Sequence, residues 1–427
     1  MVNLSVFIEI KGCSCLVGNI TGTDHSDARF TYADTYLSNP EHRAISLSLP
    51  LEEKTFNAQR TKNFFEGLLP EGFSRKAVAQ SMQLDENDYT SILAGLGKEC
   101  IGAIKIIDEN AEELTPEYQL LSSKEVYDLA KEGATESAEL VTKAHLSLTG
   151  ASGKVGLYYS EPEERWYLPI GDAPSTHIVK QSHVRLERIV QNEQLCQMTA
   201  RKLGIETPES FILAMDSSDE EIVLLATQRY DRSFKNGSRR ISGMAAPCRL
   251  HQEDFAQAMG IASSDKYEKD NAGYMRKMFD ILRSHSADPM ADSLKLWDIC
   301  VFNYLVGNTD NHIKNLSLLY SEDLKAIRLA PAYDIVSTMI YKSGTDNMSL
   351  SVGGVYRLCE ITRDCFAKEA ANIGLGTKMA LSRFDNMAAG FKNALISAGN
   401  ELAAMGVKQI DEISERILSN GGISRYL

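Results

Sequence analysis

Gly307 to Asn315 reads Gly-Asn-Thr-Asp-Asn-His-Ile-Lys-Asn, packing three carboxamides, a carboxylate, an imidazole and an ammonium into one short run. Such a run cannot bury itself unless the elements on either side satisfy each polar group. The apolar stretch "LKLWDICVFNYLVG" precedes it, and "LSLLY" and "AIRLAPAYD" follow around the polar "SEDLK". This pattern predicts a helix ending at Gly307, a loop, and a hairpin opening at Leu316. Asp310 is then held on a loop between scaffold elements, a suitable place for a base. Asn315 offers an amide oxygen five residues on, and Asp334 a carboxylate at the end of the second hairpin strand. Two oxygen donors of this kind are what Mg²⁺ takes from a protein, with waters and phosphates completing the octahedron.

Upstream, "THIVK" alternates, so Thr176, Ile178 and Lys180 share one strand face, and an inward lysine needs an anionic partner. Before it, "SLTGASGKVGLYY" places Gly150, Gly153 and Gly156 among small residues, in a loop whose N–H groups can approach phosphate. It is not a Walker A loop, because Val155 follows Lys154 where Ser or Thr is required. The order is the informative part: glycine-rich turn, strand lysine, helix, connecting "TQRYD", helical domain, loop Asp with Asn five later, hairpin, Asp. Protein kinases arrange their ATP-handling parts in this order. Here "NTDNHIKN" stands for the usual His-Arg-Asp loop and "YDIVS" for Asp-Phe-Gly.

The rest of the chain reads as three parts. Residues 1–105 hold strand signals ("LSVFIEI", "AISLSLP") and then a helix, "TKNFFEGLLP", with Phe64, Phe65, Leu68 and Leu69 on one face. An acidic, proline-containing linker, "DENAEELTPE", leads into 106–250, a strand-rich part interrupted by one helix, "NEQLCQMTARKLGIETP", that stops at Gly204. Residues 251–427 read as helical apart from the hairpin. The fold class expected is α+β: a two-lobed kinase-like fold with a β-rich N-lobe and a helical C-lobe, preceded by a small strand-and-helix module. With 427 residues, 43% hydrophobic and 24% charged, disorder is excluded. A net charge of −13 argues against broad contact with nucleic-acid phosphates. The absence of a long apolar run and the scatter of 8 cysteines lead us to expect a cytoplasmic protein without membrane contact, its thiols reduced.

These motifs resemble the HipA toxin kinases of bacterial type II toxin–antitoxin systems. The likeness runs through "LPLEEKTFNAQRTKNFFEGLLPEG", "SLTGA", "THIVK", "QRYDR", "RLHQEDFAQAMG", "FNYLVGNTDNHIKNLSLLY" and "LAPAYDIVS". It implies a Ser/Thr protein kinase using ATP and Mg²⁺, with Asp310 as catalytic base and Asn315 and Asp334 as metal ligands. It also implies nucleotide binding by Gly150, Ala151, Ser152, Gly153, Lys154 and Lys180, and by the Gln228, Arg229 and Tyr230 backbone as adenine hinge. His312 and Lys314 complete the catalytic loop, the first by holding it and the second beside developing phosphoryl charge. Ser147 matches the serine that family members autophosphorylate, although Gly-Ala-Ser-Gly-Lys replaces the Gly-Ala-Gln-Glu-Lys of the family's loop. Glu193 reads as favouring a helix N-terminus rather than pairing with Lys180. The implied partners are a protein substrate, such as an aminoacyl-tRNA synthetase or another translation factor, a HipB-like helix-turn-helix antitoxin, and operator DNA reached through that antitoxin. The rival reading is a catalytically silent kinase fold that acts only as co-repressor.

Overall fold

A computed structural model describes residues 1–108, 114–132, 154–181, 186–216, 221–235, 239–270, 272–342 and 344–427. The chain is α+β and divides into two compact units. The first gathers residues 1–184, 213–263 and 319–326, and the second residues 185–212, 264–318 and 327–427.

The first unit carries two larger sheets besides short two-stranded pairs. One has four strands in the order Arg29–Tyr32, Cys13–Gly22, Val2–Ile10, Ile104–Asp108. The other runs Glu117–Leu120, Arg165–Ile170, Lys154–Ser160, His177–Gln181, Glu221–Gln228, Ser210–Asp216. Alternating apolar residues drive the first: Leu4, Val6 and Ile8 of the central strand are buried. "AISLSLP" forms no strand, correcting the sequence reading. Its backbone groups are claimed by side chains instead. The Ile45 N–H donates to the Tyr32 hydroxyl, which donates to the Leu49 carbonyl, and the Leu47 N–H donates to Glu253 Oε1. Those partners do the work of a ladder, so Ile45 and Leu49 are buried without one.

A network of buried charge joins the two sheet systems of this unit. Glu99, fully buried, accepts from Arg232 Nη2 at 2.7 Å, Arg249 Nε at 2.8 Å and Arg229 Nη1 at 3.2 Å. Asp231 takes both Nε and Nη2 of Arg229 and the Gly102 N–H, while Glu9 holds Arg249 through its backbone N–H and Nη1. Burial alone would raise the Glu99 carboxyl, but the guanidinium groups of Arg232, Arg249 and Arg229 outweigh it and hold Glu99 well below the usual carboxylate range.

The second unit is mainly helical. Helix Thr377–Ala404 packs on Ile189–Lys202 and on Ile410–Asn420, where a Cβ on Gly399 would lie 3.3 Å from both Ile410 Cγ2 and Ser414 Oγ. Trp297, Tyr304, Phe366 and Phe384 form an aromatic core, with Trp297 Nε1 donating to the Ala380 carbonyl. The chain forms the expected hairpin, as strands Ser317–Tyr320 and Ile327–Leu329, of which residues 319–326 are counted with the first unit. A second hairpin, Asn347–Val352 with Val355–Arg357, interrupts the helical run and corrects the all-helical reading.

Candidate active site

The loop from Gly307 to Asn315 begins where a well-specified helix ends. Asp288 caps Pro289–Val306 by accepting from the Ala291 N–H at 3.1 Å, and Pro289 fits the first turn because its missing N–H has no intrahelical role there. The helix stops at Gly307, whose φ of +75° suits glycine. A Cβ here would lie 3.0 Å from Gly421 Cα and 3.1 Å from Met339 Cβ, so close packing also requires the glycine.

Several of the polar groups beyond that point have defined partners. Asn308 is buried; it donates to Asn303 Oδ1 at 2.7 Å and to the Asp334 carbonyl at 3.4 Å, and its Oδ1 accepts from the Asp310 N–H at 3.1 Å. One carboxamide therefore links the backbones of Asp310 and Asp334. Thr309 accepts at its carbonyl from the N–H and hydroxyl of Ser349, at 3.0 and 2.6 Å. The Asp310 carbonyl accepts from the His312 N–H at 2.8 Å and from Asn315 Nδ2 at 3.0 Å. The Tyr333 hydroxyl donates to the Lys314 carbonyl. From Val301 to Lys314 every residue is buried except Asp310, whose carboxylate is exposed and accepts from the Tyr267 hydroxyl at 2.8 Å. The His312 ring stands edge-on to Tyr267, with centroids 5.2 Å apart.

Asp334 sits in left-handed backbone conformation, φ 54°, a strained setting for a residue with a Cβ. Downstream, Asn192 grips the Ser337 peptide from both sides, accepting its N–H at 3.2 Å and donating to its carbonyl at 2.9 Å. Glu193 lies past the first turn of helix Ile189–Lys202, buried, and accepts from Gln197 Nε2; this corrects its reading as a residue at the helix start. Asn315 Nδ2 donates to the Asp310 carbonyl, so the amide oxygen is the acceptor end of that side chain, and it and the Asp334 carboxylate are each hard oxygen donors of the kind Mg²⁺ takes. Among the described residues no three His, Cys, Asp or Glu side chains gather as a metal cage, so an ion here would draw most of its ligands from water and substrate.

In the first unit, Lys180 is buried on strand His177–Gln181, directly opposite Lys154 on one side and Leu225 on the other. Residues directly opposite across a ladder share a face, so Lys154 and Lys180 present like charges to the same side, an arrangement that favours an anion. Ser147, Gly150, Ala151, Ser152 and Gly153 lie outside the described residues. At the end of strand Glu221–Gln228 the Arg229 N–H donates to the Thr176 carbonyl at 2.8 Å, and its guanidinium is committed to the buried network. The Tyr230 hydroxyl donates to Gln252 Oε1.

Sequence reading missed Tyr267, Asn308, Ser349 and Asn192. Only Asn308 carried a usable signal, as part of the polar run; the others act through contacts distant in sequence.

Two family models match: the HipA N-terminal domain over residues 10–107 and the HipA-like C-terminal domain over residues 146–395. Among curated proteins the chain is 31% identical over 382 residues to Y4mE of Sinorhizobium fredii, named as a candidate kinase, covering 87% of each. It is 26% identical over 374 residues to the serine/threonine-protein kinase toxin HipA of Shewanella oneidensis, covering 84% of this chain and 82% of that one. Among solved structures it is similar in fold to the toxin–antitoxin complex of Shewanella oneidensis containing HipA, HipB and operator DNA. The TM-score is 0.78 at 20% identity, over 99% of this chain and 97% of that one. Among the described residues no helix is long and apolar enough to cross a membrane.

Proposed function

The chain belongs to the HipA family, and from that premise we propose that it transfers the γ-phosphoryl group of ATP to a serine or threonine hydroxyl of a protein. The observation that carries the reading is Asp310: a single exposed carboxylate on a loop otherwise buried from Val301 to Lys314. Burial and hydrogen bonding fix its backbone through Asn308, His312 and Asn315, so its position is set before substrate arrives. In phosphoryl transfer the protein mainly positions groups and neutralises charge. Asp310 orients the acceptor hydroxyl and takes its proton as the oxygen attacks phosphorus. Lys180, with Lys154 across the ladder, holds phosphate oxygens, and Lys314 lies close in sequence to the charge that develops. Asn315 and Asp334 would hold a magnesium ion through their side-chain oxygens, and that ion would supply charge neutralisation at the phosphates. The Gln228–Tyr230 backbone receives the adenine edge, and His312 braces the loop.

We further assign a HipB-like antitoxin as partner, with operator DNA reached through it and growth arrest as the cellular outcome. The antitoxin and DNA in the related complex support this, as does a net charge of −13, which disfavours direct contact with DNA. An aminoacyl-tRNA synthetase or another translation factor is the acceptor class we favour, Ser147 is the candidate for autophosphorylation, and the cytoplasm is the expected compartment. The test is incubation with γ-labelled ATP and Mg²⁺, with and without a cell lysate. Asp310→Asn should lower label transfer by about 10²–10⁴-fold. Label that survives this substitution unchanged, or is absent from the unaltered protein, sinks the kinase reading.

A further inference from the structure

The Asp310 carboxylate already has a hydroxyl on it. Tyr267 is 41% exposed, yet its phenol donates to Asp310 Oδ1 at 2.8 Å, the geometry an acceptor hydroxyl would adopt toward a general base. The contact is built by a closed ring of interactions within the second unit. Glu268, the next residue, is buried; its N–H donates to the Ser349 carbonyl, and its carboxylate accepts from the N–H groups of Gly273, Tyr274 and Ser351. Ser349 in turn donates twice to the Thr309 carbonyl, one residue before Asp310. The backbone that carries Tyr267 is thus tied to the backbone that carries Asp310. The exposed Tyr267 ring, edge-on to His312 and with Lys266 Nζ 5.3 Å from its centroid, stands outside these backbone bonds.

A hydrogen bond between two exposed side chains gains little net free energy against water, so this one can be exchanged for another hydroxyl while the backbones on either side stay fixed. Resting on the phosphotransferase reading above, we infer that Tyr267 occupies the acceptor position on Asp310 and yields it to the incoming hydroxyl. It is then a specificity-determining residue: an acceptor must displace the phenol from Oδ1, a cost that a bound protein substrate offsets through its other contacts and a lone water does not. No bond to Tyr267 forms or breaks.

The test uses the full chain with Mg-ATP and water as the only added acceptor, reading ADP release. Tyr267→Phe removes the hydroxyl and keeps the ring; Tyr267→Ala removes both. Each should raise ADP release, Tyr267→Phe by roughly three- to tenfold, the worth of one exposed hydrogen bond to a carboxylate. The KM for ATP should not change, and Asp310→Asn should abolish the gain in both backgrounds. Unchanged or lower ADP release in Tyr267→Phe, with Asp310 still required, overturns the inference and makes Tyr267 a positioning residue. Phosphate found on Tyr267 by mass spectrometry also overturns it, since the phenol would then be an acceptor. ADP release and label transfer that do not depend on Asp310 in any variant would instead remove the kinase reading itself, and this inference with it.

Discussion

Replacing Glu99 by Gln tests the buried charge network with the least change in shape. The carboxylate accepts from three guanidinium groups at 2.7, 2.8 and 3.2 Å and from the Ser175 N–H and hydroxyl, both at 3.1 Å. The amide keeps one acceptor oxygen but turns an N–H₂ toward arginine donors, leaving buried positive charge without its counter-ion. Removing one partner from a buried ion pair costs about 3–5 kcal/mol, because the remaining charge cannot recover its hydration. The chain offers a clean readout, with only two tryptophans, Trp166 in the first unit and Trp297 in the second. In a Trp297→Phe background, Trp166 fluorescence during urea unfolding reports on the first unit. At an m-value of about 3 kcal/mol per molar, Glu99→Gln should lower the midpoint of that transition by roughly 1 to 1.7 M. A loss under about 1 kcal/mol would refute the reasoning, since the network would then be one whose charges are neutralised by other means.

Two more perturbations follow from single residues. Glu253 is fully buried, and burial pushes its carboxyl from an ordinary value near 4.5 up to about 7, against donors from Ser46, Tyr320 and Leu47. Between these values the folded state holds a proton that the unfolded state has released, so this group's contribution falls as pH rises from about 4.5 to about 7. The stability of Glu253→Gln relative to the unaltered chain should therefore grow by about 2–3 kcal/mol across that window; a flat difference in urea melts at several pH values would refute it. Asp334→Gly removes the strain of a left-handed φ of 54° and should stabilise the second unit by about 1 kcal/mol, read from Trp297 in a Trp166→Phe background, while abolishing Mg²⁺-dependent label transfer. Retained transfer would show that the carboxylate holds no metal.

What could be read from the sequence was whatever local chemistry specifies. The strand His177–Gln181, the stop at Gly204 and the helix cap at Gly307 were legible because alternation and left-handed glycines are local signals. The hairpin from Asn347 to Arg357 was equally legible in Met348, Leu350, Val352 and the Gly353-Gly354 turn, and was passed over because helical patterns surround it. "AISLSLP" misled because its alternation is real, but its backbone partners are side chains far away in sequence, Glu253 among them. The helix Ser123–Glu132 lacked a long periodic run. At the site, residue type and order pointed to Asp310, Asn315 and Asp334. Nothing local marked Tyr267 or Ser349, because each matters through a bond to the loop rather than through its own neighbours. Arg229 was noticed for its backbone, while its guanidinium belongs to a network whose other members are scattered from Glu9 to Arg249.

The composition of the first unit bears on how the chain can emerge from a ribosome. Its last stretch, residues 319–326, is synthesised after much of the second unit's sequence, and it brings Tyr320, whose hydroxyl reaches Glu253 and whose N–H reaches the His251 carbonyl. A nascent chain halted before Leu319 carries the Glu253 carboxyl without that phenol, so the first unit must wait for translation of its own last stretch before packing is complete. Truncation at the apparent end of the strand-rich region, near residue 263, should for this reason yield an insoluble fragment rather than a free-standing lobe.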